Sequence, residues 1–424
     1  MNDTSTPTPT IWLLSGDIMS QLGGGFRQQR WCEYYLRLGY SVRLFYVANA
    51  TSVAWIDIHT ESDLHAKRRD WISSAPPKAG IRDHRFARVA RLIKHTLILD
   101  LIYPSVFRLF FLLNKLKKST PGVTILLCSS PPFSLAIVGA MMKIAWRRQV
   151  YMALDMRDLW SLHSAFPGPK AHKRQIERWV LNQTDDLTTV SIGLAERFKA
   201  AFGAEPHVVY NVATHAHRSE QANTPYSWTK LSPALRQTSV KIVYTGSIPY
   251  GFYDLDEFVA AVETTSRSTP DICNCLQFVF VGACRELAKR ATNSQIPKDC
   301  LVFLPQMTHE TIAEIQSAAD ALLFLGYKAI DNQGQVSIKL FEYFRRRKPI
   351  LPAFIETGTD VDHLMTLYCG VSPHLTSARL LSETLSTILA SGTAELPRAI
   401  NSDADLSLLT AYDVAVSRIV AKAR

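Results

Sequence analysis

Apolar positions recur along the chain in short runs and in longer stretches with a period near 3.6, and the two kinds alternate. Ile11 to Leu14 is a short apolar run and predicts a strand. Gly23, Gly24 and Gly25 follow after a turn, and then a helix from about Phe26 to Leu38, stopped at Gly39. Ser41 to Val47 is a second strand. This is a βαβ opening with a glycine-rich first turn, so a parallel sheet is expected. Thr51 to Arg85 shows no clear pattern and reads as a long functional loop. A helical stretch from about Phe86 to Lys118 is broken near Pro104. Val123 to Cys128 is a strand, Ser129-Ser130-Pro131-Pro132 a sharp turn, and Phe133 to Trp146 a helix. A strand at Gln149 to Leu154 ends at Asp155-Met156-Arg157-Asp158-Leu159-Trp160. Helices at Lys170 to Asn182 and Gly193 to Phe202 interleave with short strands at Leu187 to Ser191 and His207 to Tyr210.

Thr214 to Ser239 is polar without sustained period and reads as an interdomain linker. The pattern then restarts. Strands are expected at Val240 to Tyr244, Leu276 to Val281, Leu301 to Leu304, Ala321 to Phe324 and Pro349 to Leu351. Helices are expected at Leu255 to Thr265, His309 to Ala318, Ile338 to Arg346 and, last, Ala404 to Lys422. The domains implied are 1–213, a linker at 214–239, 240–400, and a C-terminal helix at 401–424. Two consecutive open α/β units imply a cleft between them, with ligands at the carboxyl ends of strands.

Composition narrows the class. The chain has 424 residues, 47% hydrophobic and 20% charged, which fits a globular protein of two domains. No apolar run is long enough to span a membrane, and Met1 to Thr10 lacks a signal-peptide pattern, so a cytoplasmic protein is expected. Seven cysteines at irregular spacing make no zinc site and read as free buried thiols. The net charge of +10 is spread along the chain without a nucleic-acid motif, so nucleic acid is not the expected partner. Arg108 to Lys118 sets apolar residues against a basic end. It reads either as a membrane-interface helix or as a helix packed on the sheet with a solvated tip.

Four stretches carry a resemblance that covers about Ile11 to Leu351. They are Gly23-Gly24-Gly25; Ser129-Ser130-Pro131-Pro132 with Asp155 to Trp160; Thr189 to Leu194 with Tyr210-Asn211; and Val336-Ser337-Ile338-Lys339-Leu340-Phe341-Glu342-Tyr343-Phe344 with Lys348-Pro349-Ile350. In this order the chain resembles the family-4 glycosyltransferases, retaining enzymes of the GT-B fold, and most of all those that build bacterial surface polysaccharides. The resemblance implies an α/β fold with two Rossmann-like doubly wound domains facing across a cleft. It implies a nucleotide-sugar donor and a saccharide acceptor, lipid-linked or an exopolysaccharide or lipopolysaccharide intermediate. With the membrane-interface reading of Arg108 to Lys118, peripheral contact with the inner face of a membrane is the expectation.

Site roles follow from the same resemblance. Glu342 matches the carboxylate that takes the ribose hydroxyls, and an ionised carboxylate is a good acceptor for a diol. The helix opening near Ser337 aims its first N–H groups at the donor pyrophosphate, and Lys339 adds charge there. Gly24, Gly25, Gly246 and Ser247 allow close backbone approach to the donor. Asp158 is the candidate acceptor-binding or proton-accepting carboxylate, next to Arg157 and Trp160. His163 and His172 are candidates to orient an acceptor hydroxyl. No metal or other cofactor is called for if cationic groups and a helix N-terminus hold the leaving group.

Two departures stand out. Gly334 occupies the position of the family's first glutamate, with Asp331, Gln333 and Gln335 beside it. The segment Gly246-Ser247-Ile248-Pro249-Tyr250-Gly251 lacks the family's arginine and lysine, so charge must come from Arg285, Lys328 or Lys339. A catalytically inactive scaffold in a glycan-assembly complex is the alternative, and an epimerase or phosphorylase on the same architecture is a third reading.

Overall fold

The computed structural model describes residues 9–16, 23–49, 52–74, 103–162, 170–212, 226–248, 251–270, 272–328, 334–373, 375–401 and 403–424. The chain divides into two compact units, Met1–Tyr210 with Leu406–Arg424, and Asn211–Asp405.

In the first unit the described elements run β1 (Thr10–Ser15), α1 (Gly23–Arg37), β2 (Val42–Asn49), β3 (Ser52–Ile58), α2 (Glu61–Ser74), α3 (Tyr103–Lys118), β4 (Thr124–Ser130), α4 (Phe133–Trp146), β5 (Val150–Met156), α5 (Lys170–Leu181), β6 (Asp186–Thr189), α6 (Ile192–Phe202) and β7 (His207–Val208). The strand order is β3-β2-β1-β4-β5-β6-β7. All described pairs are parallel except β2 with β3, an antiparallel pair. Every residue of β4 and β5 is buried. Helices cover both faces of such strands, so they read as unbroken apolar runs rather than alternating ones.

The second unit holds β8 (Val240–Thr245), α7 (Leu255–Ser268), a single turn at Ile272–Cys275, β9 (Leu276–Val281), α8 (Arg285–Thr292), β10 (Leu301–Leu304), α9 (His309–Ala318), β11 (Ala321–Leu325), α10 (Ile338–Arg346), β12 (Ile350–Ala353), α11 (Asp360–Cys369) and α12 (Ala378–Ser391). Its sheet is fully parallel in the order β10-β9-β8-β11-β12. In both sheets the order reverses beside the first strand, at β1/β4 and at β8/β11. That reversal is where an open α/β sheet leaves a crevice at its carboxyl edge. The β8/β11 pairing involves only Ile242 with Ala321 and Val243 with Leu322. Beyond those residues the two strands are not paired.

The last helix, α13 (Ala404–Ala423), packs into the first unit from residue 406 onward. Tyr412 is fully buried, stacked on Tyr34 at 5.2 Å and edge-on to Trp31 at 5.2 Å. Arg418 forms an ion pair with Asp186.

Several expectations need correction. Gly23 to Gly25 are not a loop but the opening of α1. The segment from Thr51, read as loop, contains β3 and α2. Helices α8, α11 and α12 were not expected. Not all cysteines are thiols: Cys300 is disulfide-bonded, while Cys32, Cys128, Cys275, Cys284 and Cys369 are free. Among the described residues no helix is long and apolar enough to cross a membrane.

Candidate functional site

The second unit gathers its polar groups at the β8/β11 switch point. The chain leaves β8 at Gly246, with φ +116, and leaves β9 at Gly282, with φ +125. Both lie in the region that favours glycine. A Cβ on Gly282 would sit 2.5 Å from the Gly246 carbonyl oxygen, so the two loops are in backbone contact. Gly246 N donates to Val281 O at 2.8 Å and Ile248 N to Ala283 O at 2.9 Å, which zips them together.

Lys339 lies beneath this loop. Its Nζ is 3.4 Å from where a Gly246 Cβ would be and donates to the Tyr244 hydroxyl at 2.6 Å. Tyr244 in turn donates to Ser247 O at 3.0 Å. The ammonium lies 4.1 Å from the Tyr244 ring centroid and 5.9 Å from that of Tyr253, in reach of both π faces. The Lys339 residue is partly exposed, but its Nζ is turned inward, and burial pushes its pKa down to about 8 against the raising influence of Cys284 and Glu342.

Ser337 is the N-cap of α10, with φ −72, and its side chain makes no capping bond. The first N–H groups of any α-helix have no intrahelical acceptor, so this end favours an anion. One turn on, Glu342 is partly buried and accepts from Gln316 Nε2 at 3.3 Å. The same Nε2 donates to Thr245 Oγ1 at 3.0 Å, and Gln316 Oε1 accepts from Arg346 Nε at 3.3 Å. The Tyr343 hydroxyl accepts from Thr245 N at 3.1 Å. This network joins the end of β8 to α9 and α10. Lys328, another of the three candidate cations, faces Asp254 at 3.3 Å.

A cavity of about 290 Å³ opens at the ends of β9 and β10, lined by Gly282, Ala283, Cys284, Arg285, Phe303 and Gln306. Gly334 has φ +86 and lines a separate small cavity with Gln335, Glu356 and Asp360. A glutamate at Gly334 would be strained by that φ, so the missing carboxylate goes with a different local backbone.

In the first unit the candidate groups sit at the carboxyl ends of β1, β4 and β5. Gly16, which follows β1, abuts Pro132, since a Cβ on it would lie 2.4 Å from the proline Cδ. Gly24 and Gly25 lie in the first turn of α1. Asp155, the last residue but one of β5, is fully buried and pairs with Arg27, whose Nε reaches Oδ2 at 2.8 Å. Burial alone would raise the Asp155 pKa, but Arg27 and the Thr188 hydroxyl more than offset it, and the carboxyl is held lowered. Asp155 and Arg27 thus tie α1 to the carboxyl end of β5. Arg157 N donates to Ser130 O at 2.8 Å, and its guanidinium to Pro131 O, which fixes the turn that presents the partly buried Asp158. Trp160 is buried and stacked on Phe133 at 5.0 Å, with its N–H held by Glu177 at 3.3 Å. His172 is exposed on α5. His163 lies outside the described residues.

The structure therefore brings Gly246, Ser247, Ser337, Lys339 and Glu342 together in one unit. Asp158, Gly24 and Gly25 share the carboxyl edge of the other sheet. Gln316, Thr245, Tyr244 and Arg346 were not read from the sequence. Gln316 is distant from the others in sequence; Tyr244 and Thr245 directly precede Gly246, and Arg346 is one turn beyond Glu342, but none of them carries a motif of its own.

No protein-family profile and no curated protein matches the chain. Solved structures do. A trehalose-phosphate synthase (UDP-forming) from Burkholderia vietnamiensis is 9% identical, over 97% of this chain and 100% of that one, with TM-score 0.59. A trehalose-6-phosphate protein from E. coli bound with UDP-2-fluoro glucose is 10% identical, over 97% and 96%, with TM-score 0.56. A trehalose-6-phosphate synthase studied with bisubstrate glycomimetics for glycosyl transfer with retention is 12% identical, over 76% and 79%, with TM-score 0.51. At these identities the likeness is one of fold: the chain has the GT-B fold, with two Rossmann-like α/β domains.

Proposed function

We propose that this protein is a retaining glycosyltransferase, related to family 4, that moves a sugar from a nucleoside diphosphate to a saccharide acceptor. The observation that carries the reading is the grouping of Lys339, Glu342 and the N-terminus of α10 around Gly246 and Gly282 at the β8/β11 switch point. The names of the similar structures, one bound with UDP-2-fluoro glucose, point the same way.

In this reading Glu342 accepts the ribose hydroxyls and the cavity beside Arg285 and Gln306 takes the base. Gly246 and Ser247 let the diphosphate approach the backbone, and Lys339 with the α10 N–H groups stabilises its charge. The bond from the sugar anomeric carbon to the diphosphate oxygen breaks as a bond to the acceptor oxygen forms on the same face. The acceptor proton leaves to the departing phosphate oxygen or to Asp158. Charge stabilisation that grows as the leaving group departs is the largest catalytic contribution expected of such a site.

A thermal-shift screen with UDP-, GDP-, TDP- and ADP-sugars tests this. A ligand that binds only the folded state at 100 times its Kd adds about 2.7 kcal/mol. One nucleotide class should raise the melting temperature of the native protein and not of Glu342→Ala. If no class does so, or the variant responds like the native protein, the donor site is misassigned and the inactive scaffold becomes the better reading.

The acceptor we infer is lipid-linked. Helix α3 buries Val106, Leu109 and Leu113, yet its outward stripe carries Phe107 at 51% and Phe111 at 66% exposure, followed by Lys115 and Lys118. A solvated helix face is ordinarily polar. Apolar rings ahead of cations suit an anionic bilayer surface. Co-sedimentation with anionic vesicles at low salt should be strong for the native protein and lost in Phe111→Glu. Native protein that stays in the supernatant removes the membrane part of the proposal.

A further inference from the structure

We infer that Gln316 is the positioning residue for the donor ribose, a role that rests on the reading of Glu342 as the ribose-binding carboxylate. Gln316 is 1% exposed, on α9, and bonds to two other elements at once. Its Nε2 donates to Glu342 Oε2 at 3.3 Å and to Thr245 Oγ1 at 3.0 Å, while its Oε1 accepts from Arg346 Nε at 3.3 Å. The amide has one orientation that works. Reversed, it would set oxygen against a carboxylate and NH₂ against a guanidinium. The amide thus ties the end of β8 to α10. It engages Oε2 of Glu342, so the other carboxylate oxygen is available to a vicinal diol. Arg346, whose pKa burial lowers against the raising influence of Glu342, bonds through Nε to the amide oxygen.

No other side chain of this size does both jobs. A methionine fills the volume but bonds to neither neighbour. A glutamate accepts from Arg346 but cannot donate to Glu342 unless protonated, and at neutral pH sets two carboxylates in contact.

The test is titration of UDP-glucose, with GDP-mannose, TDP-glucose and ADP-glucose as alternatives, into native protein, Gln316→Glu, Gln316→Met and Glu342→Gln. Each is measured at pH 7.5 and 5.5, with melting temperatures alongside. These sugar diphosphates hold constant charge over that range. The native protein should bind alike at both. Gln316→Glu should lose at least tenfold in affinity at pH 7.5 and recover most of it at pH 5.5, where a shared proton restores the donor. Gln316→Met should weaken at both pH values without recovery. A Gln316→Glu defect that pH 5.5 does not relieve marks a merely structural residue and overturns the inference, as does binding at native strength. Should Gln316→Glu fail to fold at pH 7.5, native-strength binding by a folded Gln316→Met does the same. If Glu342→Gln weakens binding while the Gln316 variants do not, only this inference falls. If no probe binds the native protein, or Glu342→Gln binds like it, the donor-site reading falls and this one with it.

Discussion

Lys339 sets a pH dependence that belongs to a single side chain. Its ammonium is held by the Tyr244 hydroxyl and ring, with Tyr253, Cys284 and Glu342 as the other titratable groups around it. Burial lowers its pKa from the ordinary 10.5 to about 8. Between those values the unfolded chain binds the proton and the folded one does not, so this group's contribution to stability rises with pH through that window. Lys241, whose buried ammonium donates to Ser239 O at 2.6 Å and is also lowered to about 8, acts with the same sign. Stability alone therefore does not single out Lys339. Donor binding does, because a diphosphate needs the charged form. Affinity for a nucleotide sugar should be flat below pH 7 and fall about tenfold between pH 7 and pH 9, one decade per pH unit once the ammonium is mostly lost. Calorimetric titration across this range checks it, and Lys339→Met should be weaker throughout and flat. A native protein whose affinity does not change from pH 7 to pH 9 would mean that Lys339 carries no phosphate charge.

At the scale of elements, the β8 and β9 loops act as one piece because two glycines let them touch. Gly282→Ala combines an unfavourable φ of +125 with a Cβ 2.5 Å from a backbone oxygen. The loops must separate, at a cost of about 1–3 kcal/mol for a strained residue of this kind. The variant should melt lower and lose nucleotide-sugar binding. An alanine that binds normally would show that the loop does not touch the donor. Much of this architecture is legible beforehand. Helices α4, α9 and α10 and strands β9 and β10 fall where the apolar pattern puts them, because each presents a continuous run or one stripe to a covered core. Strand β3 is harder: it is antiparallel, carries the exposed Trp55, and contrasts little with its surroundings. Helix α2 buries only Leu64 among its residues of described burial, so its stripe is faint. Helix α12 is different, since Leu381, Leu385 and Ile388 are spaced for one buried face and could have been read. In the candidate site, Lys339 and Glu342 are legible because they sit three apart within one local motif. Gln316 and Arg27 are not. Their partners Glu342 and Asp155 are 26 and 128 residues away, and only the crossover topology brings them together.

For the whole molecule, the order of residues and the order of structure differ at the C-terminus. The second unit is complete at Asp405, and the chain then finishes the first one. Tyr412 is the central contact of that return. It is stacked on Tyr34, set against Trp31, and reached by Arg27 Nη1 at 3.3 Å. Arg27 in turn holds Asp155, so the last helix is linked through one guanidinium to the strand that ends beside Asp158. Tyr412→Ala removes a fully buried ring, which costs about 3–5 kcal/mol for a large aromatic in a core. Tyr412→Phe keeps the stacking and deletes one hydrogen bond, at about 1 kcal/mol. Differential scanning calorimetry should show the loss on the transition of the unit that contains β1 to β7. A nucleotide sugar should raise the transition of the unit that contains β8 to β12, and Tyr412→Ala should leave that shift in place. If the alanine variant instead abolishes the ligand-induced shift, donor binding depends on the C-terminal helix, and the donor site cannot be assigned to the second unit's own residues.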